Sequence, residues 1–353
     1  MTSNDATTPK WGRRRGLALT AGRAVAIGAA ATVALTGCGA SSGAAAGSSV
    51  DLVGFSILEG VNKTTIADFQ KTPAGKDVDF KTSYGASGDQ SRAVDGGQPA
   101  DVVHFSLETD VTRLVDTGLV ADDWKSGPTQ GIGSQTVVVI AVRKGNPQQI
   151  TGWDDLVKPG VKIVTPNPGS SGSARWNILA AWGHVIANGG TEDDAKAYLE
   201  KFFENTVALP GSGREATTAF TSGVGDVLIS YETEAIQARA KGADLDYVVP
   251  VDTLLIQNPV AVTKDAPKAA RDFVGYLTGK DGQLDYAEAG FRPLVDVGDV
   301  RVEGANDPTN PYPTPAKLLT IDGDFGGWAD AAKKFFDEND GLVTKIQAET
   351  GKQ

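Results

Sequence analysis

Three stretches of this chain combine small and polar residues in a way that lets backbone, rather than side chains, hold a ligand. Residues 84–90 (YGASGDQ) run into a helical segment ending at Asp95. Residues 165–173 (TPNPGSSGS) run into Ala174-Arg175-Trp176, and residues 210–214 (PGSGR) run into a helix over 215–222. Each reads as an apolar strand, a Gly/Ser loop and then a helix. The first N–H groups of a helix have no acceptor within it, and Gly or Ser lets a ligand approach them closely. Each helix start also carries roughly half a positive charge from its aligned peptides. Three converging starts would offer a dianion about +1.5 of charge with no cationic side chain. One such loop is ordinarily just a cap, since Ser and Gly are favoured there. Three in one chain point to anion capture.

Other chemistries have little material to work with. The nucleotide pattern G-x4-G-K-[ST] is absent, and no G-x-G-x-x-G follows a strand. The two histidines, His104 and His184, are too few for a metal centre or a Ser-His triad. The first lies in a strand and the second in an amphipathic helix, and both read as structural. Asp322, Asp324, Asp337 and Asp340 lack the spacing of a calcium loop and read as solvated surface. The expectation is a protein with no catalysis, no cofactor and no metal. The alternative from another class is a secreted hydrolase of sulfate or phosphate esters, which would need a general base or metal beside Ser171.

These loops need a frame to position them, and the chain supplies alternating strand-like and helix-like segments, as in an α/β protein. Its 353 residues suggest two compact units. Strands are expected at 52–57, 101–105, 136–142, 161–164, 226–230 and 254–262. Helices are expected at 62–69, 111–119, 174–187, 194–203, 268–277 and 329–336. The nearly unbroken β-branched run 136–142 predicts a central strand buried on both faces.

Ahead of this frame stand Lys10, Arg13, Arg14, Arg15 and Arg23, then an apolar run over 24–35 that is too short to span a bilayer. The run ends in Leu35-Thr36-Gly37-Cys38, similar to a bacterial lipoprotein signal peptide over 1–37. Cys38, the sole cysteine, is then the lipidated residue, and 38–50 is a Gly/Ala/Ser tether. This places the folded part outside the cytoplasm, as a monomer anchored to the outer face of the cell membrane. With 33 basic and 44 acidic residues the formal net charge is −11, which argues against nucleic acid as a partner.

Six blocks carry a family resemblance: 84–90, 142–147 (VRKGNP), 165–177 (TPNPGSSGSARWN), 179–183 (LAAWG), 225–229 (GDVLI) and 325–328 (FGGW). In this order they resemble the sulfate/thiosulfate-binding proteins of bacterial ABC importers, over nearly the whole chain beyond the tether. The resemblance implies a two-lobed type II periplasmic-binding-protein fold with the ligand cleft between lobes. Lobe 1 would hold 51–139 and 256–353, and lobe 2 would hold 140–255. The partners would be a sulfate or thiosulfate anion and the membrane permease of the importer. Carried over, the binding N–H groups fall at Leu58, Ser87, Gly172, Ser173 and Gly213, and the binding hydroxyl at Ser171. The family's indole donor falls on Tyr231, whose phenol also donates one hydrogen bond but with a different reach. Arg175 and Arg214 would brace the loop ends. Molybdate or tungstate is the alternative oxyanion. Phosphate keeps a proton at neutral pH, and a site made only of donors offers that proton no acceptor.

Overall fold

The computed structural model describes residues 48–352, so the expected signal peptide, Cys38 and tether residues 39–47 lie outside the described residues. Ten strands form one connected sheet. They are β1 (Ser49–Phe55), β2 (Asp79–Gly85), β3 (Val102–His104), β4 (Ile132–Arg143), β5 (Ile163–Val164), β6 (Thr206–Ala208), β7 (Val227–Tyr231), β8 (Leu245–Val248), β9 (Asp252–Val262) and β10 (Lys317–Leu319). Their order is β2-β1-β3-β9-β4-β7-β5-β6, with β8 beside β4 and β10 beside β9.

The β-branched run in β4 does what its composition predicts. Val138 and Ile140 enter one apolar cluster while Val137, Val139 and Ala141 enter another, and all five are fully buried. Side chains of a strand alternate between faces, so a continuous apolar run is required where both faces are covered. The partner of β4 changes along its length. Residues up to Val137 pair with β9, and residues from Val138 to Val142 pair with β7.

Three expectations need correction. The tether is shorter than 38–50, because Ser49 and Val50 already pair with Asp79 and Phe80, and Val50 is fully buried. The strand before the first Gly/Ser loop is not apolar. β2 is an edge strand with Asp79, Lys81 and Thr82 exposed, and polar side chains on an edge discourage pairing with other chains. The third difference concerns the C-terminus, expected to pack with the first lobe as part of 256–353. The helix Leu342–Thr350 instead closes on Glu192–Asn205, while Trp328–Phe336 touches both Gly172–Ala187 and the first lobe's Glu108–Asp116. Phe335 meets Trp182 edge-on at 4.9 Å, and Trp328 meets Trp176 at 4.7 Å. Aromatic pairs of this geometry add to simple area burial, so the apolar stripe of the last helices finds its best partner there.

His104 on β3 is structural, as expected. It is fully buried, with Nε2 3.1 Å from Ser134 Oγ, and burial pushes its pKa down to about 3. The unfolded chain takes up this proton near pH 6.5 while the folded chain refuses it, so the group's contribution is present above 6.5 and lost as pH falls. Between pH 6.5 and 5, urea-unfolding stability should fall by about 1–2 kcal/mol more in the wild type than in His104→Gln. Parallel slopes for the two proteins would show that His104 is protonated inside the fold.

Candidate functional site

The three Gly/Ser loops converge. The first opens the helix Ser87–Asp95, the second opens Gly172–Ala187 and the third opens Gly213–Thr221. The Gly88 N–H donates to the Ser170 carbonyl at 3.1 Å, which joins the first loop to the second. Ser170 Oγ donates to the Gly211 carbonyl at 2.7 Å and Asn167 N–H to the Pro210 carbonyl at 2.8 Å, joining the second to the third. Gly213 lies so close to Ser173 that a Cβ added there would sit 2.8 Å from Ser173 Oγ and 3.1 Å from Ile57 Cδ1. The same spot therefore receives the end of the 3-10 turn Ser56–Leu58 as well.

Within this arrangement Leu58, Ser87, Ser171, Gly172, Ser173 and Gly213 stand at the starts of helices or just before them. Apart from Ser171, whose N–H donates to the Asn167 carbonyl at 2.8 Å, their N–H groups belong to first turns, which have no acceptor within the helix. Ser171 Oγ lies 2.9 Å from Ser173 Oγ. The Ser87 side chain is committed elsewhere: it donates to Asp110 Oδ2 at 2.6 Å and accepts from the Ser106 N–H at 2.8 Å. Ser87 thus has only its backbone to offer a ligand.

Tyr231, the last residue of β7, is fully buried, and its hydroxyl is 2.7 Å from Ser106 Oγ. Burial raises its pKa, against hydrogen bonds with Ser106 and Asn258 that lower it, so the phenol stays neutral. It reaches the converging loops through Ser106, whose side chain faces Gly172.

Ser106 is what sequence reasoning missed. Besides Ser87 and Tyr231 it holds Trp176 Nε1 and Asn258 Nδ2 on its carbonyl, at 2.9 and 3.1 Å. One residue therefore ties β3's end to the second loop's helix, to β7 and to β9. Its signal was modest: a Ser directly after the predicted strand 101–105, in the position where strand ends meet ligands.

Of the two arginines expected to brace the loop ends, Arg175 holds its own loop, whereas Arg214 reaches the turn at Ile57 and a buried acid. Arg175 Nε donates to the Pro168 carbonyl at 3.1 Å. Arg214 donates to the Ile57 carbonyl and pairs with the wholly buried Glu234 at 2.8 Å. Asp110 is also buried, and burial raises its pKa while Ser87 and the nearby guanidiniums lower it. The helix starts add their partial positive charge where the loops meet. Such a cluster can hold a small, unprotonated oxyanion by donation alone.

Comparison with known proteins identifies relatives of the chain. Residues 56–292 match the family described as bacterial extracellular solute-binding protein. A sulfate-binding protein of Synechococcus elongatus is 36% identical, with 96% of this chain and 97% of that protein covered. A thiosulfate-binding protein of Escherichia coli is 32% identical, with 79% of this chain and 84% of that protein covered. Among solved structures, the sulfate-binding protein SubI from Mycobacterium tuberculosis superimposes with a TM-score of 0.76 at 41% identity, covering 82% of this chain and all of SubI.

Proposed function

We propose, from a chain that belongs to the bacterial extracellular solute-binding proteins and within them to the sulfate-binding group, that it captures sulfate or thiosulfate for import. Its fold is the type II periplasmic-binding-protein fold and its role is solute binding, not catalysis. The observation that carries the choice of ligand is the meeting of three helix starts and the Ser171 and Ser173 hydroxyls at one donor-rich spot. A fully deprotonated oxyanion accepts at every oxygen and suits such a spot. Hydrogen bonds to a charged group bring ~1.5–3 kcal/mol each, so seven bring roughly 10–20 kcal/mol. Association costs of ~4–15 kcal/mol leave room for a micromolar complex.

Calorimetric titration with sulfate, thiosulfate, molybdate and phosphate tests this reading. Sulfate or thiosulfate should bind and phosphate should not. Ser171→Ala should weaken sulfate by ~1–3 kcal/mol through the lost hydroxyl donor. Ser170, occupied with the Gly211 carbonyl, should matter less when changed to Ala. Equal losses in the two variants, or none in either, would mean that the register of this loop is wrong.

The lobes are read as 51–139 with the chain from 256 onward, and 140–255, with the helix Leu342–Thr350 set apart from the first lobe because it packs on Glu192–Asn205. The change of β4 partner at Val137/Val138 and the pairing of Leu255 with Val137 support crossing strands near those boundaries. Closure would be a hinge motion about β4 and β9 that buries the anion between the loops. Delivery would be to the membrane permease of an ABC importer, from a monomer tethered through lipidated Cys38. Cys38→Ala should release the protein from membranes and leave its sulfate affinity unchanged. Retention of that variant on membranes would remove the lipid anchor from the reading.

A further inference from the structure

A groove of about 480 Å³ lies beside the second loop and includes none of the seven anion-site residues. Arg92 from Ser87–Asp95, Arg113 from Glu108–Asp116 and Arg175 from Gly172–Ala187 all face it. Three guanidiniums from three helices meet here in a protein whose formal charge is −11. Their existing partners do not account for them. Arg92 pairs with the exposed Asp89, and Arg113 donates to Ser91 Oγ at 2.7 Å with Asp110 only at 3.5 Å. Arg175 has no carboxylate within 4.0 Å among the described residues. It is half-buried, with Nε on the Pro168 carbonyl and its guanidinium 4.9 Å from the Phe336 ring centre. Burial lowers its pKa and Asp110 raises it, with Arg113 and Arg92 adding repulsion that lowers it further. A poorly hydrated cation without a counter-ion is unfavourable, and like charges gathered around it add to that cost.

The remaining lining is mixed. Phe336, with Arg175 over its ring, and Val343 supply an apolar part, Asn167, Thr344 and Gln347 are polar, and Glu338 is the one acid. Inorganic sulfate would fill only a small part of such a volume and would leave the apolar part unmatched. A ligand with a charged head and a short apolar body would use both surfaces.

We propose that this groove is a second anion site that takes a small organic anion, its oxyanion head on Arg92, Arg113 and Arg175 and its apolar body on Phe336 and Val343. The site shares Asn167, Pro168 and Gly169 with the second loop but none of the seven expected anion-site residues, and the proposal does not rest on what the loops bind. Benzenesulfonate is the probe, with benzyl alcohol as its uncharged counterpart. Isothermal titration of the protein lacking residues 1–37 should show one-to-one binding of benzenesulfonate, undiminished by excess sulfate, and none of benzyl alcohol. Arg92→Gln removes one cation at an exposed position and should weaken benzenesulfonate at least several-fold while leaving the sulfate titration unchanged. Arg113→Gln should weaken it about tenfold, the loss expected for a charge-assisted hydrogen bond. Absence of benzenesulfonate binding, displacement by sulfate, equal binding of benzyl alcohol, or unchanged affinity in both arginine variants would each overturn the proposal.

Discussion

Gly172→Ala should abolish measurable sulfate binding, lowering affinity by at least about a hundredfold, in a protein that still unfolds cooperatively. The reason is steric and local. A Cβ at 172 would stand 2.6 Å from both Cβ and Oγ of Ser106 and 2.9 Å from Leu107 Cγ. These are not the free ends of flexible side chains, because Ser106 is held by Ser87, Trp176 and Asn258. The start of the helix Gly172–Ala187 would have to retreat, and with it the N–H groups of residues 172 and 173 and the Ser171 hydroxyl. Each lost donor to a charged ligand costs ~1.5–3 kcal/mol. Gly213→Ala is the instructive comparison. Its nearest obstacle is Ser173 Oγ at 2.8 Å, a hydroxyl that can rotate, so its loss should be smaller. Near-normal sulfate binding by Gly172→Ala would show that the contact with Ser106 is absent from the bound state.

The second large effect concerns stability. Arg292→Met should lower the free energy of unfolding by ~3–5 kcal/mol at neutral pH. Arg292 meets Glu232 through two bonds, Nε to Oε2 at 2.8 Å and Nη2 to Oε1 at 3.1 Å, and Nη2 also donates to the Pro313 carbonyl at 3.1 Å. Glu232 is wholly buried at the start of the helix Glu232–Ala240. Removing its partner leaves a carboxylate without a counter-charge, which is far worse than lacking the pair altogether. Burial already raises the pKa of Glu232, and Arg292 is what holds it down. In the variant that restraint is gone, so Glu232 binds a proton more tightly when folded than unfolded. The stability penalty should therefore shrink as pH falls toward the ordinary glutamate range and grow as pH rises. Adding Glu232→Gln to Arg292→Met should recover part of the loss. A loss below about 1 kcal/mol with no dependence on pH would show that water solvates this pair.

The parts of the fold that sequence made legible are those where one physical demand dominates. The run 136–142 had to be a doubly covered strand because seven nearly unbroken apolar residues leave no polar face. Glu108–Asp116 was readable through Val111, Leu114 and Val115 at helical spacing, whereas 174–187, read as amphipathic, is buried along most of its length. The anion loops were legible because Gly and Ser before a helix have a local meaning. What escaped notice depended on distant partners. β2 is mostly polar and becomes a strand only because Ser49–Phe55 lies alongside it. Glu232–Ala240 carries buried Glu232, Glu234 and Gln237, residues that look like a solvated face until Arg292 and Arg214 are set against them. Ser106 looked like any residue after a strand, since its partners lie 19 to 152 positions away in the chain. Tyr231 was picked out by alignment to an indole, and its hydroxyl engages Ser106 in place of any position that spacing alone could specify.

The packing of the last helices has a consequence for how the chain is made. Trp182 waits for Phe335 and Trp176 for Trp328, and the Thr206 carbonyl accepts from Lys352 Nζ at 2.7 Å across 146 positions. The helix Gly172–Ala187, which follows Ser171, thus keeps its back uncovered until Trp328 and Phe335 have been synthesised. A polypeptide that emerges N-terminus first can form local turns early, but it completes this core only at the end. Completion of this core is thereby postponed until residues 328–352 are available. A chain cut short by even its last two helices would carry every anion-loop residue and still lack the support that fixes them in place.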